Sequence, residues 1–334
     1  MRTFHSIIVL CCGVAVACSS NEPTFPREET LTPEFMPLQG VTNPIRVEVK
    51  HPFLILQNYT RTDSLFHIYD LRNNALKSAF GVTGRGPVEF VSSWLLHTQL
   101  SNILINDSGK NLVSKYSINE EGEAILKETQ QPSYIEGVSN AAFINDSLFV
   151  LDAQYMAPSL YLLSWQDELP RKTRQFRNPD ITDYYIDPDM GSVYANESRI
   201  ALCYGYKKQI DFMDTDLNLV KSIKFKHASP SASTIDSEDG GDVKRTYIYG
   251  YFGKRYLYAL FLGTSWNEHR GALSHCGTSL EVFDLDGNPV IRYHLNGIRP
   301  TYFAVDEKDF TLYGAGGGAE PEDHLVVYKL KGLS

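Results

Sequence analysis

The chain has 334 residues and a formal net charge of −9 at pH 7, enough length for a sizeable core. Its acidic balance disfavours nucleic acid and anionic membrane faces as partners. Twenty tyrosines and 17 phenylalanines favour sheet over helix, because aromatics pack well on a pleated, half-buried surface.

Residues 1–17, MRTFHSIIVLCCGVAVA, open the chain. Arg2 supplies a positive start, and Ile7 to Ala17 form an apolar run with small residues at its end, as in a secretory signal. The run is too short to span a bilayer. Cleavage before Cys18 would follow Ala15-Val16-Ala17, which resembles the lipobox of bacterial lipoproteins. That resemblance implies a lipidated Cys18 as the mature N-terminus and a membrane partner reached through it. Several acyl chains on one residue anchor stably where a single chain does not. The alternative is an ordinary secretory signal with an incidental cysteine. Residues 18–30 are polar and proline-bearing and are read as a flexible tether.

From residue 31 to 334 one pattern recurs: an apolar strand, a polar turn, and a second strand at once. The residue before the turn falls at Tyr69, Tyr116, Leu163, Met213, Phe283 and Tyr328, spaced by 47, 47, 50, 70 and 45 residues. A period near 47 with several short strands per unit is the signature of a β-propeller. Four strands per unit follow from period-two alternation between Asn/Asp/Gly turns. In the second unit they begin at Ser93, Asn102, Asn111 and Glu123. The sixth unit has only three, TYFAVDEK, DFTLYGAG and HLVVYKLKG. Closing the ring without an exposed edge requires a strand from elsewhere, and Leu31–Leu38 is predicted to supply it. The expected fold is all-β: a six-bladed propeller of four-stranded antiparallel blades closed by an N-terminal strand.

Turns joining strands one to two and three to four share the bottom face of such a ring. Connections between strands two and three, and between blades, share the top. The long segments, 81–90, 178–190, 228–243, 264–278 and 315–323, all fall on top, where a rigid scaffold positions binding residues. The first contains Gly81, Gly84, Gly86 and Pro87 around Arg85 and ends at Glu89-Phe90. The glycines permit a tight turn and the proline stiffens its exit. A GRGPxEF segment after the first blade, behind a lipobox and a proline-bearing tether, resembles the TolB-like six-bladed propeller lipoproteins of Bacteroidetes. The resemblance covers essentially the whole mature chain. It implies the fold and an outer-membrane envelope location, on either the periplasmic or the surface face, and it supplies no catalytic set.

Two readings of the segment stand side by side: Arg85 as a ligand contact with Glu89 as its partner, or an Arg85–Glu89 latch between blades. Arg299, in GIRPT before the sixth blade, is the second interblade arginine. Trp266 offers a stacking face and His269 a polar tip in GTSWNEHRGALSHCGTS. Tyr185 lies among carboxylates in DYYIDPD, a composition that suits sugars. Arg85, Glu89, Tyr185, Trp266, His269 and Arg299 are therefore the candidate ligand-binding set. His269, His275 and Cys276 match no zinc spacing, and SEDGGD from Ser237 lacks the EF-hand pattern. No metal or other cofactor is expected, and no catalytic residue is assigned. Cys203, inside RIALCYGY, reads as a small buried hydrophobe.

No nucleophile or metalloprotease motif occurs. The expected function is a non-catalytic, lipid-anchored envelope protein whose top face binds a partner protein or a ligand. The alternative is a glycan-active hydrolase or lyase working in the propeller funnel. The acids carried by first strands, Glu48, Asp146, Glu197 and Asp306, lie toward the bottom turns, which argues against a top-face catalytic centre.

Overall fold

In a computed structural model of the chain, the described residues are 23–41, 43–59, 63–131, 141–152, 160–176, 188–227, 243–265, 267–268, 278–315 and 323–333. Two short strands come first, β1 (Glu28–Leu31) and β2 (Glu34–Pro37). Blade one follows as β3 (Pro44–Lys50), β4 (Phe53–Asn58), β5 (Phe66–Asp70) and β6 (Ala75–Phe80). Blade two is β7 (Ser93–Leu96), β8 (Ile103–Asp107), β9 (Leu112–Ile118) and β10 (Ala124–Gln130). Blade three is β11 (Ala141–Phe143), β12 (Leu148–Asp152), β13 (Leu160–Ser164) and β14 (Lys172–Arg174). Blade four is β15 (Gly191–Ala195), β16 (Ile200–Tyr204), β17 (Gln209–Met213) and β18 (Leu219–Lys224). Blade five is β19 (Tyr247–Phe252), β20 (Tyr256–Phe261), β21 (Ser279–Asp284) and β22 (Pro289–Leu295). Blade six has β23 (Tyr302–Asp306), β24 (Thr311–Ala315) and β25 (His324–Lys329). Neighbouring strands within a blade pair in sequence order. The six-bladed all-β architecture is the one the 47-residue period predicts.

Second and third strands are sandwiched between adjacent blades. They are mostly apolar because both of their faces are dry: every residue of β4, β5, β8, β13, β16 and β24 is buried. Outer strands keep one wet face, so β6 and β10 carry exposed polar positions.

In three blades the residue before the turn marks a structural event. The β5–β6 register shifts between Ile68 and Tyr69, β17–β18 between Phe212 and Met213, and β21–β22 between Val282 and Phe283. A bulge at this point steepens the local right-handed twist, which each blade needs to rise from the axis to the rim. The turn beyond is built on a side-chain cap. Asp214 accepts from the amides of Asp216 and Asn218, and Asp284 from those of Asp286 and Asn288. The tip then docks on the preceding blade. Gly287 has φ +73° and lies so close to Phe212 that an added Cβ would sit 2.8 Å from its ring.

The sixth blade is closed as predicted. β2 pairs antiparallel with β25, Phe35 opposite Val326 and Met36 opposite Leu325. The segment 31–38 is nevertheless split, because Leu31 belongs to β1, which runs parallel to β22 as a fifth strand on blade five. Residues expected within the 18–30 tether are thus packed. Phe25 stacks on Phe225 with centroids 5.9 Å apart, and the Arg292 guanidinium lies 4.5 Å from the Phe25 ring centroid. Polar composition hid this element, whose partner strand lies more than 260 residues away.

Cys203 is a buried free thiol whose pKa burial pushes up, as expected for a small core residue. Cys276 lies outside the described residues.

Candidate functional site

All six first strands face the propeller axis, and together they line a cavity of about 230 Å³. Arg46 of β3 reaches across it, its guanidinium 4.0 Å from the ring centroid of Tyr302 on β23 and 5.4 Å from that of Trp94 on β7. Tyr194 and Tyr249 stand beside it, ring centroids 6.0 Å apart. Burial pushes both phenols well above their ordinary pKa.

Below this space a belt of polar side chains crosses the axis. His97 Nδ1 lies 2.8 Å from Glu48 Oε1, and the His97 ring packs against Tyr251 with centroids 4.2 Å apart and planes tilted by 46°. Gln99 donates to the Phe252 carbonyl at 2.7 Å. Glu48 is only 3% exposed, so its charge is held by partners: His97 on one oxygen and Lys50, 3.5 Å away, on the other. A buried carboxylate needs such neighbours because desolvation strongly disfavours it alone.

Under the belt opens a larger cavity of about 550 Å³ at the bottom mouth of the channel. The first turns of blades one, two, five and six form it, bringing Lys50, Lys254, Arg255 and Lys308 together with His51, Gln99, Asp306 and Glu307. The Lys50 ammonium is buried, donates to the Thr98 carbonyl, and has its pKa lowered by desolvation against the pull of Glu48. Asp306 accepts from His51 Nδ1 at 2.8 Å, and Lys308 donates to His51 Nε2 at 2.9 Å. The His51 ring thus bridges Asp306 and Lys308. Glu307 accepts from the amides of Arg255 and Tyr256 and from the Tyr258 hydroxyl; burial nevertheless raises its pKa.

A third cavity, about 540 Å³, lies on the top rim between blades four and five. Pro23 to Phe25 of the N-terminal segment form one wall, and Lys208, Phe225 and Phe261 the other.

The sequence-derived candidates are placed differently. Arg85 is exposed, and no ion pair joins it to Glu89 among the described residues. Glu89 Oε2 instead accepts from the Gly86 amide at 2.6 Å. Gly84 leaves room for that carboxylate, since a Cβ there would sit 2.0 Å from Oε2. Lys110 of blade two donates to the carbonyls of Gly86 and Glu89, each at 2.6 Å, and Phe90 packs against Phe66. The GRGPVEF segment is thus a lock between blades one and two, made by Glu89 and Lys110 rather than by Arg85. Arg299 is half-buried, and burial lowers its pKa. Neither arginine lines any of the three cavities above. Tyr185, Trp266, His269 and Cys18 lie outside the described residues.

The lysines of the bottom mouth were not singled out from sequence. Their signal is a cation at a similar point of three repeats: Lys50 ends its first strand, and Lys254-Arg255 and Lys308 lie just past theirs. Among the described residues no group of three or more His, Cys, Asp or Glu is placed to hold a metal ion, and no helix is long and apolar enough to cross a membrane.

A sequence model described as TolB-like 6-blade propeller-like matches residues 24–308. Among solved structures, a member of the DUF4221 family from Bacteroides vulgatus ATCC 8482 is similar, with 15% identity and a TM-score of 0.56. The match covers 90% of this chain and 97% of that one, and at that identity the likeness is one of fold. No curated protein matches the sequence.

Proposed function

The chain belongs to the TolB-like six-bladed propeller family, and we propose that it is a non-catalytic binding protein of the cell envelope. In this reading lipid on Cys18 holds it to the outer membrane, and a ligand enters the bottom mouth of the axial channel. The observation that carries the reading is the 550 Å³ cavity lined by turns of four blades, a size suited to a small ligand. The top-face surface expected from sequence has less support: neither of its two described arginines lines any of the three cavities above.

Binding is favoured over glycan cleavage by what the cavity's carboxylates already do. Glycosidases need two carboxyl groups free to act on either side of a sugar bond. Asp306 is engaged by His51 and by the Lys308 amide at 2.9 Å, and Glu307 by the turn of blade five. Both brace turns.

The test is native mass spectrometry of the protein isolated from its own envelope. A small molecule should co-purify with the wild type and be lost from Ser101→Trp, which fills the mouth at an exposed turn position and should leave the melting temperature unchanged. A ligand retained by Ser101→Trp would place binding elsewhere.

A further inference from the structure

We infer that the bottom cavity is a site for a small organic anion, a carboxylate- or phosphate-bearing molecule; this rests on the channel-binding reading above and names its ligand class. The chain is acidic overall, at −9, yet four cations and two carboxylates line this one space. The carboxylates are turned toward protein: Asp306 to His51 and the Lys308 amide, Glu307 to two amides and a tyrosine hydroxyl.

The cations are less well matched. Lys254 is exposed to the cavity, and no hydrogen bond or ion pair holds its ammonium among the described residues. The Lys308 ammonium contacts His51 Nε2 at 2.9 Å rather than a carboxylate. Lys50 hydrogen-bonds a carbonyl, and its ion-pair contact with Glu48 is long at 3.5 Å. Its ammonium feels repulsion from Lys254 across the same space, on top of the dominant penalty of burial. Amines that face one cavity with no anion between them repel each other. A bound carboxylate or phosphate would remove that repulsion and accept charge-assisted hydrogen bonds, the stronger kind. Local charge in a concave site outweighs net charge for a small ligand, because salt screens the distant surface beyond roughly 8–10 Å.

The experiment is isothermal titration of the mature wild-type chain at low ionic strength with citrate, inorganic phosphate and a neutral trisaccharide. Saturable binding of citrate or phosphate that weakens with added salt is expected, and comparing the two says which anionic group is preferred. Lys254→Ala and Lys308→Ala should each raise Kd about tenfold, the scale of one charge-assisted hydrogen bond, with melting temperatures held. The absence of saturable anion binding overturns the inference, as does a Kd unchanged in the Lys254→Ala/Lys308→Ala double variant. Anion binding lost in Arg85→Ala/Arg299→Ala instead would move the site to the top face. Trisaccharide binding that Ser101→Trp abolishes, with no anion binding, overturns the ligand class and leaves the channel reading standing.

Discussion

Glu281 shows how single residues hold this ring together. It is fully buried, and both oxygens are occupied: Lys208 at 2.7 Å and Arg292 at 3.1 Å on one, the Tyr247 hydroxyl at 2.8 Å on the other. Lys208 in turn lies between Phe225 and Phe261, 4.7 and 4.0 Å from their centroids. The group links the last strands of blade five to a loop of blade four and to the N-terminal segment through Arg292. Removing the carboxylate leaves the desolvated Lys208 without its anion, while Arg292 keeps Glu28 at 2.7 Å; breaking a buried pair in this way typically costs about 3–5 kcal/mol. Glu281→Ala should therefore lower the urea-unfolding free energy by about that much, while Glu281→Gln, which keeps an acceptor, should cost less. A change below about 1 kcal/mol in Glu281→Ala would mean water repairs the site.

Among the elements, β1 and β2 carry the ring closure. β2 supplies the fourth strand of blade six, and β1 adds a fifth to blade five. Leu31 and Met36 are buried in the main core cluster with residues of both blades. Three truncations of the mature chain should separate these contributions. Starting at Pro23 should leave the melting temperature unchanged. Starting at Glu34 should lower it by removing the Phe25 stack and β1. Starting at Gln39 should expose the β25 edge and cause aggregation. Equal behaviour of the last two would deny β2 its closing role, which calorimetry with light scattering would reveal.

At the scale of the whole molecule, the two ends of the axis are unlike. Pro23 to Phe25 lie on the top rim beside Lys226 and His227, whereas the cationic cavity opens at the bottom. With Cys18 acylated as proposed, only four residues lie between the anchor and Pro23, and the five Cα-to-Cα steps reach roughly 17 Å at full extension. The top rim at blades four and five would then be held near the bilayer, with the bottom mouth facing away. Fluorophores placed by Lys226→Cys and Lys254→Cys on liposome-bound protein should differ, the first quenched by headgroup quenchers and the second not. Equal quenching would reject the orientation, and release of Cys18→Ala from membranes checks the anchor on its own.

The sequence by itself determined the architecture. A 47-residue period, two-residue alternation and polar turns are local properties, and each blade expresses them from its own residues; even the missing fourth strand of blade six was countable. Lone short strands were harder to read: β1 has no alternation long enough to register, and only β22 makes it a strand. The GRGPVEF glycines marked a tight turn correctly, but whether Glu89 faced Arg85 or the Gly86 amide depended on the fold of the turn and on Lys110 from the next blade. The candidate site was least legible. Lys50, His97, Lys254 and Lys308 are scattered over some 260 residues, ordinary polar residues near ordinary turns. Only closing the ring brings four first turns to one axis and leaves their charges facing a single space.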